Sequence, residues 1–262
     1  MKIGCVVGSL AQAHIASEIG CDYLEIKGEV LLCSDQDYEA IAKAVRSLRA
    51  PVEALTSPIP RELGLKIVGE DANHDAALDV FERIISRAGQ FGVKVITFGC
   101  SNARTIGPNT PRHKAYEQLY GFLRTCADIC RSHDMVIGVE SLNRSETNVL
   151  NSPMETKRFL EQLNIPEIGM TFDSYHVESE SLNLRSELEC AGDLILHAHT
   201  CDADRRCPNQ RSESVAEFIK ELSRVGYQGR VSLECNFSSF RKELSEALPA
   251  ISRMITDNAI SH

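Results

Sequence analysis

Four residues able to bind a metal ion stand at the ends of four successive aliphatic runs. The run 135–139 leads to Glu140, 168–172 to Asp173, 194–198 to His199 and 231–233 to Glu234. Asp and Glu together number 37 and His 8 among 262 residues, so four such residues in a row arise by chance roughly once in a thousand. Each could instead cap the helix that follows or meet a lysine at the surface. If they converge they need a counter-charge, because clustered buried carboxylates repel and shift toward their neutral form. A divalent cation supplies it. Three carboxylates and one imidazole make a hard, oxygen-rich set that suits Mn²⁺ or Mg²⁺, with Co²⁺ or Zn²⁺ as substitutes.

Convergence depends on the elements that carry these residues. The chain repeats a short aliphatic run, a polar loop and a segment of helical period, the pattern of strand, crossover helix and parallel strand. Eight runs read as strands: 2–7, 22–26, 52–55, 93–98, 135–139, 168–172, 194–198 and 231–233. Between them, Ala77, Phe81, Ile84, Ile85 and Ala88 recur at three- and four-residue steps, as do Leu119, Phe122, Leu123 and Cys126. Gly20, Gly92 and Gly226 stand where a helix would hand over to a strand. The dinucleotide fingerprint of an open doubly wound sheet is absent after the first run, where Gly4 and Gly8 stand alone. The expectation is therefore an α/β fold, a (β/α)8 TIM barrel forming one domain over residues 1–262, with its chemistry at the C-terminal strand ends.

Alternation along the strands adds to this. If the four candidate ligands point inward, so do Gly138, Thr171, His197 and Ser232, two positions earlier. These are small or polar. His197 is expected to be a core histidine bonded to Thr171 or Ser232 rather than a fifth ligand. The segment 57–70, with Pro58, Pro60 and Gly64, is long for a connection and should form part of the rim.

Composition narrows the partners. A net charge of −9 and a pI near 5.4 oppose nucleic acid or an anionic membrane, leaving a small diffusible molecule. The apolar run Ile3 to Val7 is too short for a secretory signal, and no stretch approaches a membrane span. Ten cysteines are scattered without a CxxC pair and read as reduced thiols of the cytoplasm; Cys201 and Cys207 are read as free thiols rather than zinc ligands. A homo-oligomer stays open.

With their neighbours, these residues resemble the xylose isomerase-like barrel superfamily, and within it the sugar phosphate isomerase/epimerase branch that includes the ketose 3-epimerases. The carrying motifs are Val139-Glu140-Ser141-Leu142-Asn143-Arg144, Phe172-Asp173-Ser174-Tyr175-His176, His197-Ala198-His199 with Arg205, and Val231-Ser232-Leu233-Glu234. The phrase Phe98-Gly99-Cys100-Ser101-Asn102-Ala103-Arg104 is similar too. The resemblance implies that Glu140, Asp173, His199 and Glu234 hold the metal and that His176, Arg205 and Glu146 meet the substrate. The trinuclear-zinc nucleases of the superfamily need an Asp-x-His after the seventh strand, where this chain reads Thr-Cys-Asp-Ala-Asp-Arg-Arg-Cys.

The chemistry that follows is an expectation. A divalent ion chelated by a carbonyl and a neighbouring hydroxyl stabilises an enediolate, while Glu140 and Glu234 move the proton beside the carbonyl. Transfer between two faces of one carbon gives an epimerase, and transfer between neighbouring carbons an isomerase. A dehydratase, a hydroxypyruvate-type isomerase or a catalytically silent sugar-binding barrel would use the same residues. Arg104, Arg205, Arg206 and Arg211 are candidates for a substrate phosphate or carboxylate.

Overall fold

Eight parallel strands close into a ring in sequence order: β1 (Lys2–Val7), β2 (Tyr23–Lys27), β3 (Val52–Thr56), β4 (Val95–Phe98), β5 (Val136–Glu140), β6 (Ile168–Asp173), β7 (Ile195–Thr200) and β8 (Arg230–Leu233). The computed structural model describes residues 1–259. The ring is sealed by β1 against β8, with Lys2 beside Arg230 and Cys5 beside Leu233. All eight sequence-predicted strands are present. The main shifts are at β4, which starts at Val95, and at β5 to β7, which run on through Glu140, Asp173 and His199.

Helices cover the outside of the ring, among them Leu10–Ile19, Asp35–Arg46, His74–Gly89, Arg112–Arg131, Pro153–Leu163, Leu184–Ala191, Glu213–Arg224 and Phe240–Ala259. Their starts follow from capping chemistry: Ser9, Ser34, Asn73, Ser152 and Asn183 each accept a backbone N–H of the first turn through the side chain. Gly20 ends the first helix in the left-handed region, φ 105°. The apolar helix faces meet the outward strand residues in one core that includes Phe81, Phe98, Phe122, Phe159, Phe172 and Phe218. Phe172 of β6 stacks on Phe218 at 5.8 Å between ring centres, and each such ring contributes roughly 1.5–3 kcal/mol through burial.

Inside the ring the side chains form layers. Tyr23, Ala54 and Val95, with Val136 and Leu196 packed on them, fill the end where the strands begin. Above them lies a polar layer of Glu25, Thr97, Thr171, His197 and Ser232, all fully buried. Gly4 and Gly138 make room: a Cβ on Gly4 would meet the Tyr23 ring at 2.4 Å, and one on Gly138 the Thr171 hydroxyl at 2.3 Å. A shift of register between Met170 and Thr171 sets Thr171 beside His197 and Asp173 beside His199. The top layer is therefore Glu140, Asp173 and His199, with Glu234 one residue beyond β8 and still donating its N–H to the Thr200 carbonyl.

Candidate functional site

The four sequence-predicted ligands meet. Each offers one atom, and these atoms lie within 4.8 Å of one another. His199 Nδ1 approaches Glu140 Oε1 at 3.3 Å and Glu234 Oε2 at 3.5 Å. Both Nδ1 and Glu140 Oε1 are buried without a hydrogen-bond partner among the described residues. Orphaned buried polar atoms are costly, and two of them facing each other beside the Glu234 carboxylate fit a cation held between them.

Asp173 serves two ends. Its Oδ1 accepts the Tyr175 N–H at 2.9 Å and caps the short helix Ser174–Ser179, while Oδ2 turns to the cluster, 3.3 Å from Arg205 Nη1. Helix capping and convergence are thus both true of this residue. Glu140 is tucked under the backbone after β4: a Cβ on Gly99 would lie 2.6 Å from Glu140 Oε2, so only glycine leaves the carboxylate its place.

Arg205 ties the cluster to the loops. It bonds Glu234 Oε2 at 2.7 Å, approaches Glu146 Oε1 at 3.5 Å, and lies over the Tyr175 ring at 4.3 Å. Both Asp204 and Arg205 have left-handed backbones, φ 58° and 54°, a strain tolerated where geometry is over-determined by surrounding contacts. His176 is buried, and its Nδ1 accepts the Asn143 backbone N–H at 3.1 Å. Nε2 then carries the ring hydrogen and stands 2.9 Å from Arg205 Nη2, so two N–H donors converge on one point.

The electrostatics follow from burial and neighbours. Burial raises the Glu140 carboxyl above its ordinary range, with the charge of Glu234 adding to it. Burial would raise Glu234 too, but His199 and Arg205 hold it below the usual carboxylate range. For His199, burial disfavours the charged ring, yet Glu25, Glu140 and Glu234 outweigh it and raise its pKa.

Glu234, Arg205 and Glu146 open onto a cavity of about 720 Å³, whose wall also carries Lys27, Asn102 and Asn236. Ser57, Pro60, Arg61 and Leu65 line it as well, so the 57–70 segment forms rim as expected. Arg104 departs from expectation. It is fully buried away from the cavity, with Nη2 donating to the Glu140 carbonyl at 2.6 Å, and so braces the end of β5 instead of facing a substrate anion. Arg206 and Arg211 are exposed outside the cavity. Cys201 and Cys207 are free thiols.

One residue of the site escaped the sequence reading. Glu25, in the middle of β2, accepts from His197 Nε2 at 2.7 Å and bonds His199 Nε2 at 3.0 Å. His197 is a core histidine as expected, but Glu25 is its main partner, with Ser232 Oγ at 3.3 Å in support. A charged residue inside the otherwise apolar Tyr-Leu-Glu-Ile of a parallel strand, buried on both faces, was the available signal. Glu25, His197 and His199 also cluster tightly, but 2.7 Å between His197 and Glu25 is a hydrogen-bond separation. Ligands around a tetrahedral zinc, bonded at about 2.0–2.2 Å, sit farther apart.

Comparison with known proteins agrees with this architecture. The family model described as xylose isomerase-like TIM barrel matches residues 13–254. A ketose 3-epimerase of Arthrobacter globiformis is 35% identical over 127 residues, which cover 48% of this chain and 42% of that protein. A 3-dehydro-D-guloside 4-epimerase of Escherichia coli is 24% identical over 231 residues, 86% of each chain. Among solved structures, an L-ribulose 3-epimerase superposes with a TM-score of 0.84 at 16% identity, covering 99% of this chain and 96% of the other.

Proposed function

From a chain that belongs to the xylose isomerase-like TIM barrel family, we propose a divalent-metal-dependent epimerase or isomerase of a ketose or related small carbohydrate. The observation that carries this is the cluster of Glu140, Asp173, His199 and Glu234, with ligand atoms within 4.8 Å, whose member Glu234 lines the cavity. The reading takes residues 1–262 as one barrel domain, which the closed ring and the match over 13–254 support.

Glu140, Asp173, His199 and Glu234 would hold the ion, and the three oxygen donors favour Mn²⁺ or Mg²⁺. When bound, the ion supplies Lewis-acid polarisation of a sugar carbonyl and its neighbouring hydroxyl. The protein's own residues do the rest. Glu140 and Glu234 stand on non-adjacent strands, so their carboxylates reach a bound sugar from different sides. One takes the proton from the carbon beside the carbonyl and the other returns it, which inverts that carbon. The name of the Escherichia coli relative fits this chemistry, since the inverted carbon 4 adjoins the oxidised carbon 3.

His176 Nε2 and Arg205 Nη2 orient the sugar. The two groups stand 2.9 Å apart and each faces a carboxylate oxygen at 3.5 Å, His176 Nε2 toward Asp173 Oδ2 and Arg205 Nη2 toward Glu146 Oε1, so a substrate oxygen would be a closer acceptor for both. Glu146, on the cavity wall beside Arg205, accepts a hydroxyl. Ten thiols without a disulfide suit the reducing cytoplasm, and no helix among the described residues is long and apolar enough to cross a membrane.

The test is NMR in D₂O with Mg²⁺, following a panel of ketoses, their phosphates and small keto acids. Metal-dependent deuterium uptake beside the carbonyl is expected, with the product's configuration separating epimerisation from isomerisation. Bound metal without uptake from any carbohydrate would defeat the proposal.

A further inference from the structure

The polar layer beneath the cluster requires an explanation, because barrel interiors are normally filled by branched apolar side chains. Here a carboxylate, an imidazole and three hydroxyls are buried at the centre of the ring, directly below the His199 ring. Glu25 is the hub. An ionised carboxylate only accepts, so every polar group aimed at it must supply a hydrogen. Thr97 Oγ1 donates to Oε1 at 3.1 Å, His197 Nε2 to Oε2 at 2.7 Å, and His199 Nε2 lies 3.0 Å from both oxygens.

Tyr23 OH and Ser232 Oγ, 2.7 Å apart, close the network on the far side, with Ser232 Oγ 3.3 Å from His197 Nε2. Glu25 is therefore held on three sides and cannot swing away from His199. Deep burial of all the partners rules out solvent as a competitor for these bonds. The two imidazoles also differ in placement: His197 Nδ1 is buried below the cluster, whereas His199 Nδ1 faces Glu140 and Glu234.

We propose that Glu25 is the positioning residue of the metal site. By accepting the Nε2 hydrogen of His199 it fixes the tautomer whose Nδ1 lone pair points to where Glu140, Asp173 and Glu234 converge. The inference rests on the reading of that cluster as the ion's site. A carboxylate behind a ligating histidine is a general way to orient the ring, and its loss costs about 10- to 100-fold in metal affinity.

The distinguishing variant is Glu25→Gln, which keeps the volume but offers one acceptor oxygen and an NH₂. Facing His199 with the NH₂ favours the tautomer with hydrogen on Nδ1, which cannot ligate. Titration of the apoprotein with Mn²⁺, reading free Mn²⁺ by electron paramagnetic resonance, should show E25Q binding about 10- to 100-fold more weakly than the parent. Glu25→Asp, which keeps the acceptor pair, should recover part of the loss. A folded E25Q that binds Mn²⁺ within twofold of the parent overturns the inference.

A second measurement needs no variant and covers a failure of E25Q to fold. In the ¹⁵N-histidine-labelled, Mg²⁺-loaded parent, long-range ¹H–¹⁵N spectra should show His199 with hydrogen on Nε2 and none on Nδ1. Hydrogen on Nδ1 with a bare Nε2 overturns the proposal. A parent protein that binds no Mn²⁺ overturns the functional reading and this inference together, whereas equal binding by parent and E25Q overturns this inference alone.

Discussion

Glu140 Oε1 and His199 Nδ1 lie 3.3 Å apart at the ends of β5 and β7, and neither has a hydrogen-bond partner among the described residues. Two strands that are not neighbours in the ring thus deliver two unsatisfied donor atoms to one point. Binding of an ion there should stabilise the fold by mass action, about 2.7 kcal/mol at a hundredfold excess over Kd. For a chain of this length each kcal/mol raises Tm by roughly 2–4 °C. Thermal scans after chelator treatment, with and without Mn²⁺, should therefore differ by about 5–10 °C, and turnover should vanish and return in parallel. Superimposable scans would mean that the cluster holds no ion.

Glu140→Gln and Glu234→Gln should each fold and each lose turnover. Removal of a general acid or base costs roughly 10²- to 10⁴-fold, and weakened ion binding adds to that unless the assay contains saturating Mn²⁺. Both carboxylates sit at the open end of the ring, where the barrel's packing does not depend on them. Near-parental kcat in either variant at saturating metal would remove the two-carboxylate mechanism.

The contrast between Glu234 and Glu25 shows where the sequence is legible. Glu234, Glu140, Asp173 and His199 end aliphatic runs, so position alone marks them, and the eight runs define the ring. Glu25 sits inside a run, where its partners come from β4 and β7, 72 to 174 residues away in sequence. Nothing local signals which side chains a closed ring will set opposite it. Arg104 illustrates the converse: a polar loop residue reads as exposed, yet the turn through Cys100, with φ 45°, carries it inward beneath the Glu140 carbonyl.

Arg205→Ala should raise KM more than it lowers kcat. The guanidinium touches Glu234, Asp173 and the Tyr175 ring and stands beside the cavity, so its main service to a sugar is a hydrogen bond held in ground state and transition state alike. Steady-state kinetics on the substrate identified by deuterium exchange decide this. Loss of kcat at constant KM would place Arg205 in transition-state stabilisation instead.

Acid stability should report an ion-pair node far from the site. Glu221 accepts from Arg185 at 2.8 Å and Arg224 at 2.6 Å, and the Arg185 bonds, outweighing burial, bring its pKa down to about 2. A lowered pKa means that the contribution is complete above the unfolded value, near 4.3, and is lost as pH falls toward 2. Because Arg185 is solvent-exposed, screening limits the effect to about 1 kcal/mol. Denaturant melts of Glu221→Gln and the parent should differ at pH 7 and merge near pH 2. A gap of equal size at both pH values would assign the loss to packing.

Gly99→Ala tests how tightly the ring confines Glu140. Gly99 has no left-handed backbone, so the substitution brings no conformational strain of its own; what it brings is a methyl 2.6 Å from Glu140 Oε2, with Glu140 Cδ and Leu142 Cδ1 both beyond 3.7 Å. The carboxylate must move while its surroundings stay in place. Mn²⁺ affinity should fall about tenfold, by analogy with other small displacements of groups around a ligand, with kcat falling alongside and the far-UV spectrum unchanged. Gly121→Ala is the control. It lies exposed within the helix Arg112–Arg131, a Cβ there meets nothing within 4 Å, and the change should raise stability by about 1 kcal/mol without altering metal affinity. Equal Mn²⁺ binding by Gly99→Ala and Gly121→Ala would show that Glu140 can shift freely and that its buried position does not define the site.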